Sequence, residues 1–388
     1  MAVTTTAVRD GDAYVIDGTK TFVSNGPLAD TYILFCWTDR SAGRKGMSAF
    51  IVPKGTPGLL PGKHFDKMGM RSSQTSEVVF RKCRIPAENL LGAQGAGLPM
   101  AMTGFDHGRI GIAAQAVGMI QAALDESIRY SKERVQMGNP IARHQAIAWM
   151  IADMATGIEA AGLLVLSAAD LKDQGLPFTR EASMAKLFAS ELANRVAYNA
   201  LQIHGGYGFM EEYAGAQLYR DCVIHGIWEG TNFIQSQDYT GRKFTMDKGE
   251  PFKKWVQEIV DFAANEKTDE FAAEFAMLGE AVAAFQDIVE MNAAWTAGDK
   301  QMKQLFATRT MHSGARVYCG KLLLSQALLA AKKIAENGED HFDTPFYKGK
   351  IASARFYIMN HVTDVFAFQK AMKAGDRSAI NVPEASLM

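Results

Sequence analysis

The chain has 388 residues, 48% hydrophobic and 21% charged, and its 41 Lys and Arg against 42 Asp and Glu leave a formal net charge of -1. That balance excludes a basic field holding nucleic acid or an anionic membrane as the main partner, and the length suits two or three domains with sizeable cores. No stretch is expected to reach the roughly 18 apolar residues of a membrane helix; the longest charge-free helical run, Ile110 to Leu124, is rich in Ala, Gly and Gln. Met1-Ala-Val-Thr-Thr-Thr has neither the basic nor the apolar region of a secretory signal. Cys36, Cys83, Cys222 and Cys319 lie far apart, in neither a zinc spacing nor a disulfide framework, so a reducing, cytoplasmic location is expected.

The first ninety-odd residues read as β. Tyr14-Val-Ile and Thr21-Phe-Val flank Asp17-Gly18, a dipeptide favoured in tight hairpin turns. Tyr32-Ile-Leu-Phe-Cys-Trp, Met47-Ser-Ala-Phe-Ile-Val and Glu77-Val-Val-Phe are further short, bulky segments separated by Gly and Pro. Such spacing predicts an antiparallel sandwich or barrel over residues 1–95, with no interleaved helices for a Rossmann sheet. Near Gly92 the period changes to 3.6, with Val117, Ile120, Leu124 and Ile128 on one stripe. Further helices are expected from about Gln145 to Leu171 and after Thr179, the latter turning Met184, Leu187, Phe188, Leu192 and Val196 inward and stopping at Gly205-Gly206. Residues 96–245 thus predict a long-helix bundle. Asp247-Lys-Gly-Glu-Pro251 reads as a linker to a helical C-terminal domain, residues 246–388, built from Phe252 to Phe262, Phe271 to Trp295, Ala315 to Ile334 and Ile351 to Met372. The expected class is α+β, mostly α.

Among residues able to carry chemistry, Glu229 is the most informative, set between Trp228 and Gly230-Thr231. A carboxylate held against Trp and Ile loses hydration, its pKa rises, and it can take a proton from a weak carbon acid. Thr231 can cap a following helix or donate to a phosphate. On spacing alone the plainer reading, a turn and N-cap, is favoured. Gln202-Ile-His-Gly-Gly-Tyr-Gly-Phe follows a helix rather than a strand, so it fails as a dinucleotide fingerprint, and a C-cap with a tight turn explains it equally well. Arg134 ends the first long helix, where a cation suits a phosphate or the macrodipole; Arg109 opens that helix against the dipole, which hints at an anionic partner. His204 and His225 read as structural, and no metal spacing is present.

The order of these segments is more specific than any one of them. Tyr14-x-x-x-Gly-Thr-Lys-x-Phe-Val-Ser-Asn-Gly, Met68-Gly-Met-Arg-x-Ser-x-Thr, Phe105-Asp-x-x-Arg, Glu133-Arg-x-Gln-Met-Gly with His144-Gln-Ala-Ile, Gln202-Ile-x-Gly-Gly-x-Gly-Phe, and Tyr219-Arg-Asp with Glu229-Gly-Thr together resemble the acyl-CoA dehydrogenase flavoprotein family over residues 7–243. The helical tail, with Thr344-Pro-Phe-Tyr-x-Gly-Lys-x-x-x-Ala-Arg-Phe, resembles the C-terminal extension of the longer members, the methylthiopropanoyl-CoA dehydrogenase-like group.

The resemblance implies FAD-dependent α,β-dehydrogenation of an acyl-CoA thioester, with Glu229 removing the α-proton, hydride passing to flavin N5, and electrons passing to electron-transferring flavoprotein. Other branches carry the base just before the Arg matched by Arg109; that position here is Gly108. Phe22 and Ser24 match residues lining the flavin ring; Arg134, Gln136, Gln202, Gly205, Gly206 and Thr231 match FAD pyrophosphate and adenosine contacts that cross a subunit interface, implying a homodimer or homotetramer. Arg109 and Trp228 match the substrate side, with Trp228, in place of a more frequent Tyr, narrowing the acyl pocket. Phe233 stands where a flavin-contacting Gln is common, and Gln74 replaces a usual Asp. No match exists for the family's N-terminal helical domain and Thr-Glu-Pro-x-x-Gly-Ser-Asp strand motif, so the chain alone is expected to bind FAD poorly. The competing expectations are an acyl-CoA oxidase of the same superfamily and a non-catalytic fragment or scaffold.

Overall fold

Alternating bulky residues in the first ninety positions form seven strands: β1 (Thr6–Asp10), β2 (Ala13–Ser24), β3 (Thr31–Trp37), β4 (Met47–Pro53), β5 (Leu59–His64), β6 (Thr75–Pro86) and β7 (Leu90–Leu91). These come from a computed structural model that describes residues 3–383 and residue 385. The sheet order is β5-β6-β2-β1-β3-β4-β7, and every neighbouring pair is antiparallel except β1 with β3, which meet at Thr6 and Trp37. The sheet is therefore mixed by that one contact. Inward residues from both halves, among them Tyr14, Ile16, Leu34, Cys36, Phe50 and Phe80, share one core, so the sheet folds over on itself.

Asp17-Gly18 is not the expected hairpin turn. Strand β2 runs straight through it, and the pairing with β6 slips between Ile16 and Gly18. The reason is a close approach: a Cβ on Gly18 (φ +139°) would sit 2.7 Å from the backbone Cα of Thr5. Asp17 serves the bulge by accepting the Lys82 N–H at 2.8 Å. The tight turn lies instead between β1 and β2, at Gly11 with φ +62°.

The helices are α1 (Gly97–Glu133), α2 (Gln145–Asp173), α3 (Thr179–His204), α4 (Ala214–Cys222), α5 (Asn232–Asp238), α6 (Glu250–Asn265), α7 (Ala272–Gly298), α8 (Lys300–Asn337), α9 (Thr344–Asn360), α10 (Asp364–Ala374) and the short α11 (Ser378–Asn381). A two-residue-per-strand hairpin, β8 (Val135–Gln136) with β9 (Asn139–Pro140), separates α1 from α2. The chain forms two compact units, one ending at His107 and the other starting at Gly108. In the second unit Ile120 and Leu124 of α1 and all five expected residues of α3 are buried, and Gly205 caps α3 with φ +60°. Helix α8 begins fifteen residues before the expected Ala315, while the segment from Ile351 to Met372 breaks at residues 361–363 into α9 and α10. The Asp247-Lys-Gly linker is a left-handed kink, φ +48°, +58° and +80°, with Pro251 in the first turn of α6.

Two further points bear on the sequence reading. Helix α2 does have the length and apolarity of a membrane span, with a mean hydropathy of 1.5 over 18 residues, contrary to the expectation that no segment would. Its Met154, Ile158, Ala161 and Leu164 are buried in the second unit, as the apolar residues of a core helix are. All four cysteines are free and buried, and burial pushes the thiols of Cys36, Cys222 and Cys319 up to about 12.

The second unit has one hydrophobic core that runs from Ala113 to Met372, so the helices after residue 245 pack into the same interior as those before it. Gly314 of α8 marks the join. A Cβ there would lie 2.1 Å from the hydroxyl of fully buried Tyr239 and 3.1 Å from Phe285 of α7. Gly314→Ala should lower unfolding free energy by about 1–3 kcal/mol through overpacking, more than the helix-propensity gain of about 1 kcal/mol. Chemical denaturation of the two proteins side by side checks this.

Candidate functional site

The Glu229 turn is built from strained backbone. A 3₁₀ turn at Val223–Gly226 leads into Trp228, and then Glu229 (φ +53°) and Gly230 (φ +91°) both adopt left-handed conformations before α5 begins. For a glutamate such a conformation costs about 1–3 kcal/mol and persists only where its surroundings over-determine it. Two buried donors do so here. Gln235, fully buried on α5, donates through Nε2 to the carbonyls of Glu229 and Gly230, each at 3.1 Å. Lys186, fully buried on α3, donates from Nζ to the Gly230 carbonyl at 2.7 Å. Thr231 caps α5, accepting the Ile234 N–H at 3.3 Å, so the capping role is the one its hydroxyl performs here.

The Glu229 side chain lies over α1 at a gap in its surface. A Cβ on Gly108 would be 2.9 Å from Oε2 and 3.4 Å from Cδ, so the glycine makes room for the carboxylate. The carboxylate itself is exposed, and the dehydration expected from Trp228 and Ile227 is not supplied by this chain's own residues: Ile227 is 55% exposed and turned to solvent. Trp228 stands edge-on to His225 at 6.0 Å, its buried Nε1 finding no acceptor among the described residues.

Beneath the turn lies a buried polar layer. Arg109 is 4% exposed; it donates to Ser183 at 3.2 Å and pairs with Asp238 of α5 at 3.7 Å. Helix α1 starts at Gly97, so Arg109 does not open it, and the anionic partner hinted at by its charge is Asp238 within the chain. Burial, reinforced by the neighbouring Arg109 cation, lowers the Lys186 ammonium to about 8; Glu229 and Glu191 pull in the other direction. His225 is buried, bonded to the Cys222 carbonyl and Gln115, and kept below its ordinary pKa by burial. His204 binds the Ala200 carbonyl and stacks on Tyr130. Both rings are bonded to backbone carbonyls three or four residues earlier in their own segments.

A cleft of about 760 Å³ opens elsewhere on the second unit and brings together Arg134, Gln136, Gly205 and Gly206 with Tyr130, His204 and Tyr207. Arg134 lies over the Tyr207 ring at 5.9 Å, and open space faces both glycines where a side chain would project. Gln136 sits on the β8–β9 hairpin, whose turn is left-handed at Met137 and Gly138. Gln202 does not line the cleft; it is exposed on the last turn of α3, with its carbonyl taken by the Gly205 N–H. The guanidinium of Arg134 and the amide of Gln136, beside two glycines that leave the backbone open to a ligand, fit a pyrophosphate. Two apolar side chains of its lining are open to solvent, Met137 at 93% and Met210 at 47% exposed.

In the first unit, Phe22 is 71% exposed at φ +56°, where β2 slips against β6, and stacks on Phe65 at 4.9 Å. Ser24 is exposed two residues on. The bulge pushes an aromatic face outward, as a planar ligand requires.

Known proteins resemble the whole length of the chain. Residues 1–83 match the acyl-CoA dehydrogenase middle domain, 95–241 its C-terminal domain, and 255–383 the acetyl-CoA dehydrogenase C-terminal like domain. A butyryl-CoA dehydrogenase of Syntrophomonas wolfei is 42% identical over 96% of this chain and 68% of its own length. The chain belongs to the acyl-CoA dehydrogenase family. A caffeyl-CoA reductase–Etf complex subunit of Acetobacterium woodii is 47% identical over 62% of this chain and 63% of its own. The solved acyl-CoA dehydrogenase of Bacillus anthracis, complexed with FAD, covers 95% of the chain at 26% identity with a TM-score of 0.82. The present chain spans 66% of that structure, about two thirds of a long family member.

Sequence reading missed Lys186, Glu191, Asn232, Gln235 and His312, the polar groups around the Glu229 turn. One signal was available. Lys186 stands in Ala182-Ser-Met-Ala-Lys-Leu-Phe-Ala-Ser190, a run of small and apolar residues buried on all sides, where a lysine has no route to solvent.

The lowered Lys186 pKa has a measurable consequence. Between about pH 8 and its ordinary 10.5 the unfolded chain holds a proton there that the folded chain has released, so stability rises with pH in that window. Relative to Lys186→Met, the unmodified chain should therefore gain unfolding free energy from pH 8 to pH 10, measured by denaturant titration of both at each pH.

Proposed function

We propose that the chain carries the base and much of the cofactor contact surface of a flavin-dependent acyl-CoA α,β-dehydrogenase. The carrying observation is Glu229 over Gly108: an accessible carboxylate, on a turn held by buried donors, lying where the helix has no side chain. A general base must be reachable and held in place, and both conditions are met. In this reading the Glu229 carboxylate takes the α-proton of the thioester, while its backbone N–H, presented by the left-handed turn, donates to the thioester carbonyl as negative charge develops on oxygen. Bound FAD supplies the acceptor for the β-hydrogen, taken as hydride, so that two electrons and one hydrogen leave the substrate with it and the second hydrogen stays on Glu229 as a proton. Trp228 limits the acyl end, in keeping with a relative that acts on a short acyl group, as its name butyryl-CoA dehydrogenase states.

For the cofactor, two surfaces fit separately. The Phe22–Ser24 bulge offers a ring face and a hydroxyl, and the Arg134–Gln136–Gly205–Gly206 cleft offers pyrophosphate donors. The exposed apolar side chains Met137 and Met210 on that cleft support a subunit contact beside it, hence a homodimer or homotetramer. Delivery of electrons to electron-transferring flavoprotein is supported by the relative named as a subunit of an Etf complex.

In the flavin-loaded enzyme, Glu229→Gln should slow flavin bleaching by a short-chain acyl-CoA by about 10²–10⁴-fold, with the substrate dissociation constant little changed; undiminished bleaching refutes the base. Gly108→Ala should raise stability by up to about 1 kcal/mol, the helix-propensity gain, because only the end of the Glu229 side chain must move, yet slow bleaching roughly 10²-fold through displacement of the carboxylate. Stopped-flow absorbance and thermal melts of the same preparations test both halves.

A further inference from the structure

We propose that His312, on the long helix α8 of the C-terminal region, is a positioning residue for the Glu229 turn. The inference rests on the reading of Glu229 as the base, but its geometry can be tested without it. His312 Nε2 donates to Glu191 Oε2 at 2.6 Å. Glu191 Oε1 accepts from Asn232 Nδ2 at 3.2 Å. Asn232 is the first residue of α5, three positions after Glu229, and its Oδ1 accepts from Ser190 at 3.0 Å and Lys186 at 3.3 Å. Lys186 closes the chain on the Gly230 carbonyl. One turn earlier on α8, Thr308 and Ser236 of α5 share a hydrogen bond of 3.2 Å, so the same face of α8 holds both ends of α5.

The chemistry sets the direction of the effect. Glu191 has two oxygens and serves two donors, so it is oriented by both. Burial pushes the Glu191 carboxyl up, but the hydrogen bonds from His312 and Asn232 outweigh it and leave the group below its ordinary range. His312 makes no other side-chain hydrogen bond among the described residues, so its removal loosens Glu191 directly. Without that anchor Asn232 loses its fixed rotamer, and the left-handed turn is held by fewer of the contacts that over-determine it. Helix α8 thus acts on the turn through three side chains, Glu191, Asn232 and Lys186.

Hydrogen-exchange mass spectrometry of the chain, without cofactor, tests the link. His312→Ala should speed amide exchange in residues 228–235 by about tenfold while helices α7 and α10 exchange as before. His312→Gln, whose amide N–H can replace Nε2–H, should restore slow exchange. In the flavin-loaded enzyme the same alanine variant should lower kcat about tenfold with KM within twofold, and the glutamine variant should recover most of it. Should His312→Ala fail to fold, Glu191→Gln takes its place: it turns one acceptor oxygen into a donor and should also speed exchange in 228–235. Unchanged exchange in both His312→Ala and Glu191→Gln overturns the proposal. If exchange responds but Glu229→Gln retains full turnover, the link from α8 to the turn stands and the base assignment is what fails.

Discussion

The ammonium of Lys186 against the carbonyl of Gly230 is the contact on which the site depends. A left-handed glutamate followed by a left-handed glycine is costly backbone, and its carbonyls face into protein rather than water. Leaving a buried acceptor unpaired costs about 1–3 kcal/mol. The strain at Glu229 is of the same size. Lys186 and Gln235 together satisfy both carbonyls, and in doing so they make the strained turn the lowest state available. The lysine is disfavoured by its own burial and by Arg109, so the arrangement survives only because Gly230, Asn232 and the two glutamates surround it. Charge, turn and carboxylate are one cooperative unit.

That unit explains why the C-terminal helices cannot be regarded as a separate attachment. They share an interior with the bundle, and α8 supplies Thr308 and His312 to the polar layer under the turn. The three family matches divide the chain at 83–95 and 241–255. The packing divides it only near His107. The helices on either side of residue 245 form one body because large apolar side chains such as Tyr239 and Phe285 share one interior.

What could be read from sequence follows the same physics. The helices of the bundle were legible because their apolar residues recur at 3.6-residue spacing and because Gly205 can adopt the cap conformation that ends α3. Asp17-Gly18 misled because the same dipeptide suits a hairpin turn and a bulge, and only the proximity of Thr5, distant by a dozen residues, distinguishes them. Arg109 was misread because the start of α1 lies twelve residues earlier, in a Gly-Leu-Pro-Met segment with weak helical signals. Glu229 was visible as a candidate from its flanking Trp and Gly-Thr. Its support was not, because Lys186, Glu191, Asn232 and His312 come from three helices and meet only after folding. Gln202 was matched to a cofactor contact by the resemblance alone; it lies exposed on the last turn of α3, outside the cleft that Gly205 and Gly206 line.

The glycine at position 108 also decides how many acids this patch of helix can hold. A Cβ there would lie 2.9 Å from Oε2 of Glu229, so a carboxyl-bearing side chain at 108 would bring two like charges into one volume. The bare surface of α1 leaves room for a single acid, and the left-handed turn fills it from the other side of the groove with Glu229.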